Sequence, residues 1–242
     1  MIDIHAHILP GVDDGSRDMT DSLLLAEMAV ESGVHTVIAT PHSHAHRNAR
    51  EHMRDIRESF YALRREIAAR GLPLEILPGM EIFCCEDLTE RLEEGTVLSL
   101  NGTARYLIEF AFEESGERIR RYIETVKEHG GNPVIAHPER YTCLQKDPAL
   151  AEEWIRMGCQ LQMNKDSVFG AFGRRSRRTA LQLLKKRQYT YVGSDAHSPY
   201  GRTTHMGDIR EYLEEKLSPA AAGRLLERSA ERWLAVRQRE EK

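Results

Sequence analysis

No stretch of the chain approaches eighteen consecutive apolar side chains, and no basic segment followed by an apolar run opens it. A membrane span and a secretory signal are both unexpected, so the protein is read as cytoplasmic, with no membrane insertion. Cysteine is scarce. The four, Cys84, Cys85, Cys143 and Cys159, include no C-x-x-C pair, so neither a disulfide framework nor a thiolate zinc site is expected. Positive charge is not in excess either: the formal net charge of -4 gives no drive toward nucleic acid. No linker, low-complexity tract or internal repeat interrupts the sequence. At 242 residues and 40% hydrophobic, the chain is expected to form one domain spanning residues 1–242.

What the sequence does contain is a recurring pattern of short apolar or β-branched runs, each followed by a polar loop and an amphipathic helical stretch. That alternation predicts a parallel α/β fold. Seven runs are read as strands: Ile2–Ile4, Val34–Ala39, Leu74–Leu77, Tyr106–Ile108, Pro133–Ala136, Cys159–Met163 and Thr190–Val192. Between them, Met53, Ile56, Phe60, Leu63 and Ile67 step by three and four residues and mark one face of a long helix. Ile119, Tyr122, Ile123 and Val126 mark a second helix, Leu181 and Leu184 a third, and Leu225, Leu226 and Trp233 a terminal one. Gly33, Gly71, Gly130 and Gly158 fall where helical patterns stop, as C-caps that release the chain into the next strand.

The eleven histidines acquire meaning at the predicted strand ends. The first strand offers Asp3, His5 and His7, with Asp13 and Asp14 just beyond; the second offers His42 and the third Glu81. The fourth ends at Glu109, the fifth at His137 followed by Arg140, and the seventh at Asp195 and His197 followed by Arg202. In a (β/α) barrel all these ends converge on one face, so residues scattered along the chain become neighbours. His5 and His7 lie two residues apart in an extended segment and point to one side, where both can reach one metal ion. Asp195 and His197 repeat that spacing. H-x-H alone is a weak motif, but His, Asp or Glu at six of seven strand ends is hard to reconcile with core packing, because unpaired charges there are costly to bury. A mixed nitrogen and oxygen ligand set favours manganese, with iron or zinc as substitutes. Two or three such ions, with Arg140 and Arg202, leave a site that attracts anions. His35 and His129 are read as structural, and His44, His46 and His52 as members of a solvated loop after His42. Asp3 is expected to support a ligating histidine rather than to bind metal.

Cys85 and Arg91 have the C-x5-R spacing of cysteine phosphatases, but Glu86, Asp87 and Glu90 lie between them and would repel phosphate, and no glycine is available to build an anion-cradling loop. The basic run from Arg174 to Arg187 reads as a solvated helix face; as a binding surface it would suit an acidic partner.

The opening Met1-Ile-Asp-Ile-His-Ala-His7, with Val12-Asp-Asp-Gly15, Thr40-Pro-His42, Pro78-Gly-Met-Glu-Ile82, Leu107-Ile-Glu-Phe110, Val134-Ile-Ala-His-Pro-Glu-Arg140 and Gly193-Ser-Asp-Ala-His197, resembles the polymerase and histidinol phosphatase (PHP) superfamily. The likeness is nearest to its bacterial capsular-polysaccharide tyrosine phosphatases and runs almost end to end. It implies a distorted seven-stranded (β/α) barrel resembling a TIM barrel, a three-metal site usually supplied with manganese, and hydrolysis of phosphotyrosine, for which a metal-activated hydroxide is the expected nucleophile. The implied substrate is the tyrosine-phosphorylated tail of a bacterial tyrosine kinase that controls capsule or exopolysaccharide synthesis. By the same resemblance His5, His7, Glu81 and Asp195 hold one ion, Glu81, Glu109 and His137 a second, and Asp14, His42 and His197 a third. Arg140 and Arg202 grip the phosphate, and His42 is a candidate to assist the leaving group. A histidinol-phosphate or other small-molecule phosphoesterase would use the same metal site. The segment Asn164-Lys-Asp-Ser-Val-Phe-Gly170 and Ala111 depart from the family pattern, at positions that bear on substrate fit.

Overall fold

A computed structural model describes residues 1–43 and 48–240 of the chain. Every expected apolar run coincides with a strand, and every strand pairing is parallel. Strands β1 (Ile2–Ala6), β2 (Thr36–Ala39) and β3 (Glu75–Pro78) form one sheet in that order. Strands β4 (Glu81–Phe83), β5 (Arg105–Glu109), β6 (Asn132–Ala136), β7 (Gln160–Asn164) and β8 (Tyr191–Gly193) form the other. The helices are α1 (Met19–Glu31), α2 (Ala49–Ala69), α3 (Leu88–Glu93), α4 (Gly116–Glu128), α5 (Thr142–Lys146), α6 (Leu150–Arg156), α7 (Gly173–Lys185), α8 (Gly207–Lys216), α9 (Pro219–Gly223) and α10 (Ser229–Glu240). None of the described helices is long and apolar enough to cross a membrane.

The expectation of a single distorted seven-stranded barrel is met in part. The α/β architecture and the parallel strands are as read, but the third strand is split between the two sheets. The break falls at Gly79-Met80, after Pro78, which has no amide hydrogen for a ladder. A Cβ on Gly79 would lie 2.8 Å from Ile38 Cγ2, so the backbone passes closer to β2 than any other residue allows. Backbone bonds then cross between the sheets at two seams. At one, His7 N donates to Ala196 O (2.8 Å) and Asp195 N to His5 O (2.7 Å). At the other, Glu81 N donates to Pro41 O (3.1 Å) and Ser43 N to Glu81 O (2.8 Å).

The helices start and stop for local reasons. Asp18 caps α1 by accepting from the amides of Thr20 and Asp21, Asn48 caps α2, and Ser115 caps α4. Gly33, Gly71, Gly130 and Gly158 have φ of 85°, 64°, 75° and 96°, the left-handed geometry expected of a residue that ends a helix. Helix α2 buries Ile56, Phe60, Leu63 and Ile67 on one stripe, as their spacing predicts. An inner apolar cluster unites Ile2, Ile4, Ile38, Leu107, Val134 and Tyr191 with Trp233 of α10. Trp233 Nε1 donates to the hydroxyl of Tyr191, the first residue of β8 (3.1 Å). Helix α10 thus closes the end where strands begin, and polar residues collect where they finish. Leu63 is wholly buried in the larger core. Leu63→Ala is expected to lower the unfolding free energy by roughly 2–5 kcal/mol, read as a drop in urea midpoint with an unchanged slope.

Candidate metal centre

The strand ends deliver nine ionisable side chains to one place. His5 and His7 come from β1 and its exit, Glu81 opens β4, Glu109 ends β5, and His137, Asp195 and His197 follow β6 and β8. His42 lies just beyond β2, and Asp14 in the loop between β1 and α1. Glu81 is the hub. Its Oε1 lies 3.3 Å from His5 Nε2 and 3.1 Å from His137 Nε2, and its Oε2 lies 3.2 Å from His7 Nε2 and 3.1 Å from His42 Nδ1. Glu109 approaches His137 (3.4 Å) and His42 (3.8 Å). Asp195 Oδ1 is 3.5 Å from His5 Nε2 and 3.7 Å from His7 Nε2. Asp14 Oδ1 reaches His42 Nε2 at 3.4 Å and His197 Nε2 at 3.5 Å. The Glu81 side chain is 1% exposed and that of Asp14 70%, so the cluster opens to solvent on the Asp14 side.

Three sets of these residues bring ligand atoms within 4.8 Å of one another: His7, Asp14, His42 and His197; His5, His7 and Glu81; and His42, Glu81 and Glu109. Donors about 2.1 Å from one tetrahedral ion stand roughly 3–3.5 Å apart, close to the spacing around Glu81. The tautomers point the same way. Gln162 donates its amide to Met163 O (2.7 Å), so its Oε1 faces His5 Nδ1 (2.9 Å) and requires a proton there. The Asp13 carboxylate, 2.7 Å from His7 Nδ1, requires one on that atom too. Both Nε2 atoms are then bare lone pairs 3.3 Å apart, facing the carboxylate of Glu81. Lone pairs and anions in such proximity need cations between them, and this donor set fits divalent metal.

Without metal, protons do that work. Burial disfavours charge on His7, yet Asp13 and Glu81 outweigh it and hold its pKa well above the ordinary value. His5 and His42 are raised by Glu81 against the same burial. Burial and the neighbouring Glu81 push Glu109 up to about 8.

Two guanidinium groups border the cluster. Arg140 Nη1 lies 3.4 Å from Asp195 Oδ2; Arg202 pairs with Asp195 Oδ1 through Nη2 and donates Nε to Asp195 O (3.1 Å). Arg140 is stacked between Phe112 and Phe172, whose ring centroids lie 4.3 and 4.5 Å from its Cζ, and Phe172 also underlies Arg202 at 5.9 Å.

The family profile described as "Capsular polysaccharide synthesis, CpsB/CapC" matches residues 1–235. The chain belongs to the CpsB/CapC family. It is 35% identical to the tyrosine-protein phosphatase YwqE of Bacillus subtilis, over 89% of this chain and 85% of that protein. To the tyrosine-protein phosphatase CpsB of Streptococcus pneumoniae it is 31% identical, over 93% and 94% of the two chains. A crystal structure from the work on these two metal-dependent tyrosine phosphatases superposes with a TM-score of 0.84 at 33% identity, covering 92% of this chain and 90% of that one. An organophosphorus hydrolase from Deinococcus radiodurans shares the fold at a TM-score of 0.55 and 15% identity.

In this CpsB/CapC chain all nine expected metal ligands and both arginines lie in one cluster. One reading is refined and one corrected. Asp3 supports His5 as expected, but through the backbone: its Oδ1 accepts from the amides of His5 (3.2 Å) and Ser194 (3.0 Å) and so binds β1 to the β8 exit. His52 is not in a solvated loop: it is buried in α2, with Nε2 2.8 Å from His42 O. The residues that support imidazole rings, Asp13 and Gln162, were not singled out for that role. Nor was Asn164, whose amide donates to Asp195 Oδ2 (2.8 Å) and gives the remaining strand end a part in the site. Glu139 was missed as well; buried, it accepts from Asn164 N, Ser167 Oγ and Tyr189 Oη and fixes the loop after β7. His35 pairs with Glu227 and His129 with the Thr125 carbonyl, structural roles as expected. Cys85 lies 2.9 Å from Asp87 Oδ1, burial and that carboxylate raise its thiol, and Arg91 turns inward to the carbonyls of Phe83 and Ser43. The C-x5-R spacing therefore builds no phosphate cradle. His44 and His46 lie outside the described residues.

Cation binding must expel the protons that Glu109, His5, His7 and His42 hold in the metal-free protein. Because those groups titrate above their ordinary values, affinity should climb as pH rises from about 6 to about 8.5, with net proton release. Calorimetric manganese titrations in buffers of different ionisation enthalpy measure both; an affinity independent of pH would contradict the protonation described.

Proposed function

We propose that the protein is a metal-dependent protein-tyrosine phosphatase, acting on the phosphorylated tail of a bacterial tyrosine kinase in capsule or exopolysaccharide synthesis. The observation that carries this reading is the juxtaposition of a buried imidazole–carboxylate cluster with Arg140 and Arg202 at its rim, in a chain whose relatives are named tyrosine-protein phosphatases. We infer that His5, His7, Asp14, His42, Glu81, Glu109, His137, Asp195 and His197 hold two or three divalent ions, manganese first and iron or zinc as substitutes. The match over residues 1–235 supports one PHP-type domain, and the two interleaved seams support a distorted seven-stranded barrel. We read the protein as cytoplasmic.

Ions bound there supply Lewis acidity and lower the pKa of water toward neutrality. The chain contributes position and charge. Arg140 and Arg202 bind the non-bridging phosphate oxygens, which carry the charge of the transition state. Their stacking on Phe112 and Phe172 limits the rotamers each can take, so little order is lost when phosphate arrives. A tyrosine phenolate, with a solution pKa of about 10, leaves more readily than a serine alkoxide. His42, a candidate from the sequence to assist the leaving group, stands at the solvent side of the cluster with Nδ1 toward Glu81 and Nε2 toward Asp14, so on this reading it serves as a metal ligand and has no spare proton to give.

Phosphate release from a phosphotyrosine peptide and from histidinol phosphate, by chelator-stripped protein with and without manganese, tests the reading. Manganese-dependent release from the peptide is expected; turnover of histidinol phosphate alone would overturn the assignment. Arg140→Ala and Arg202→Ala should each lower kcat/KM on the peptide by roughly 10²-fold while bound metal is unchanged. Full activity in both variants would remove the arginines from the mechanism.

A further inference from the structure

Helix α7 begins against the site, with Phe172 at its N-cap beneath Arg140 and Arg202. Its first turns carry Arg174, Arg175, Arg177 and Arg178, and no acidic residue. Cations at the positive end of a helix oppose its dipole, so helix stability does not account for them. Arg177 has a structural partner, donating Nε to Val168 O (2.8 Å). Among the described residues Arg175 and Arg178 have none. With Lys146 of α5 they line a groove of about 550 Å³ between α5 and α7, whose walls include Thr142, Gln145 and Gln182 but no carboxylate.

Some surface arginines find anions: Arg120 pairs with Glu153, Arg121 with Glu117, and Arg210 with Glu214. Among the described residues Lys146, Arg175 and Arg178 have no such partner. Three unneutralised cations around one concave surface generate a local positive potential in a chain whose net charge is -4. The groove is also wired to the site. Gln145 in its wall donates Nε2 to Glu139 O (3.0 Å), to Arg140 O (3.4 Å) and to Ser176 Oγ of α7 (3.2 Å). The same backbone segment thus presents one guanidinium to the metal cluster and anchors the groove behind it.

We propose that the α5–α7 groove is a subsite for carboxylate side chains flanking the phosphotyrosine, so that the enzyme selects acidic peptide segments. The proposal rests on the phosphotyrosine-peptide reading above. A peptide whose phosphate sits between Arg140 and Arg202 passes over Phe172 and lays its neighbouring residues along α7. There, glutamate or aspartate side chains pair with Arg175, Arg178 and Lys146. Selection of this kind acts on peptide capture, so it belongs in KM rather than kcat.

The test uses full-length protein with manganese and two phosphotyrosine peptides that differ only in flanks of glutamate or of glutamine. The wild type should favour the glutamate peptide by roughly tenfold in kcat/KM at low ionic strength, through KM, with the preference shrinking as salt is added. Arg175→Gln with Arg178→Gln should erase the preference, and Arg175→Glu with Arg178→Glu should invert it. Equal kcat/KM for both peptides in the wild type, or an undiminished preference in the glutamine variant, would overturn the subsite. A fluorescently labelled, unphosphorylated glutamate peptide followed by anisotropy separates this question from the catalytic reading. If neither peptide is hydrolysed, the phosphatase assignment fails. The groove is then upheld by wild-type binding roughly tenfold tighter than that of the glutamine variant, and refuted by equal binding.

Discussion

Both oxygens of Glu81 are shared, each by two imidazole nitrogens, and the carboxylate is almost wholly excluded from water. An anion in that position is stable only while positive charge surrounds it, whether as protons on histidines or as metal ions. Five carboxylates, Asp13, Asp14, Glu81, Glu109 and Asp195, stand in or against the cluster, with two guanidinium groups to set against them. The demand for cations is therefore built into the fold. The backbone of Glu81 joins the exit of β2 to the second sheet, just as His5, His7 and Asp195 join the first sheet to the last strand. Charge and chain closure meet in the same residues, so a substitution at Glu81 disturbs the seam along with the site.

Strain gathers at the same place. His137 and Asp195 have φ of 31° and 51°, the left-handed region that residues with a side chain seldom occupy, at about 1–3 kcal/mol each. The conformation of Asp195 is held by its own amide on His5 O and by Asn164, Arg140 and Arg202 on its carboxylate. That of His137 turns the chain sharply into Pro138–Arg140, which returns Arg140 toward the metal cluster. Tyr141 locks the turn by donating its hydroxyl to Ala136 O (2.9 Å). Two glycines do the complementary task. A Cβ on Gly15 would lie 2.3 Å from His7 O, and one on Gly193 2.8 Å from His5 Cβ. The loop bearing Asp13 and Asp14, and the end of β8, can therefore lie directly against β1.

Much of this was legible in the amino-acid sequence, because buried parallel strands read as apolar runs and their ends announce themselves with His, Asp and Glu. What local pattern does not encode is pairing between distant strands. The break of the third strand at Gly79 depends on how closely β2 passes, which Pro78-Gly79-Met80 alone cannot specify. Asp3 supports His5 as expected, but one oxygen of its carboxylate does so by accepting the amides of His5 and Ser194, a pairing between the two ends of the chain that local pattern does not show. Gln162 did leave a signal. An amide inside the buried run Leu161-Gln162-Met163 must find hydrogen-bond partners, and a ring nitrogen of His5 was an available one. Glu139 carried the same mark, a carboxyl between a predicted ligand and a predicted phosphate-binding arginine, which adjacency to more obvious residues concealed.

The gradient of exposure gives the site a direction. Side-chain exposure rises from 1% at Glu81, through 16% at Arg140 and 31% at Arg202, to 70% at Asp14. Among the described residues the cluster is most exposed at Asp14, so a phosphate approaching from that side meets the guanidinium groups before the buried carboxylate. On the proposed reading, that order favours a substrate whose phosphate projects well beyond its own backbone. A tyrosine ring provides that reach, whereas a serine phosphate is held close to its peptide and would bring main-chain atoms against Phe112 and Phe172. The two rings also line the approach with apolar surface suited to an aryl group. Selectivity for tyrosine would then follow from depth and aromatic walls, added to the readier departure of a phenolate.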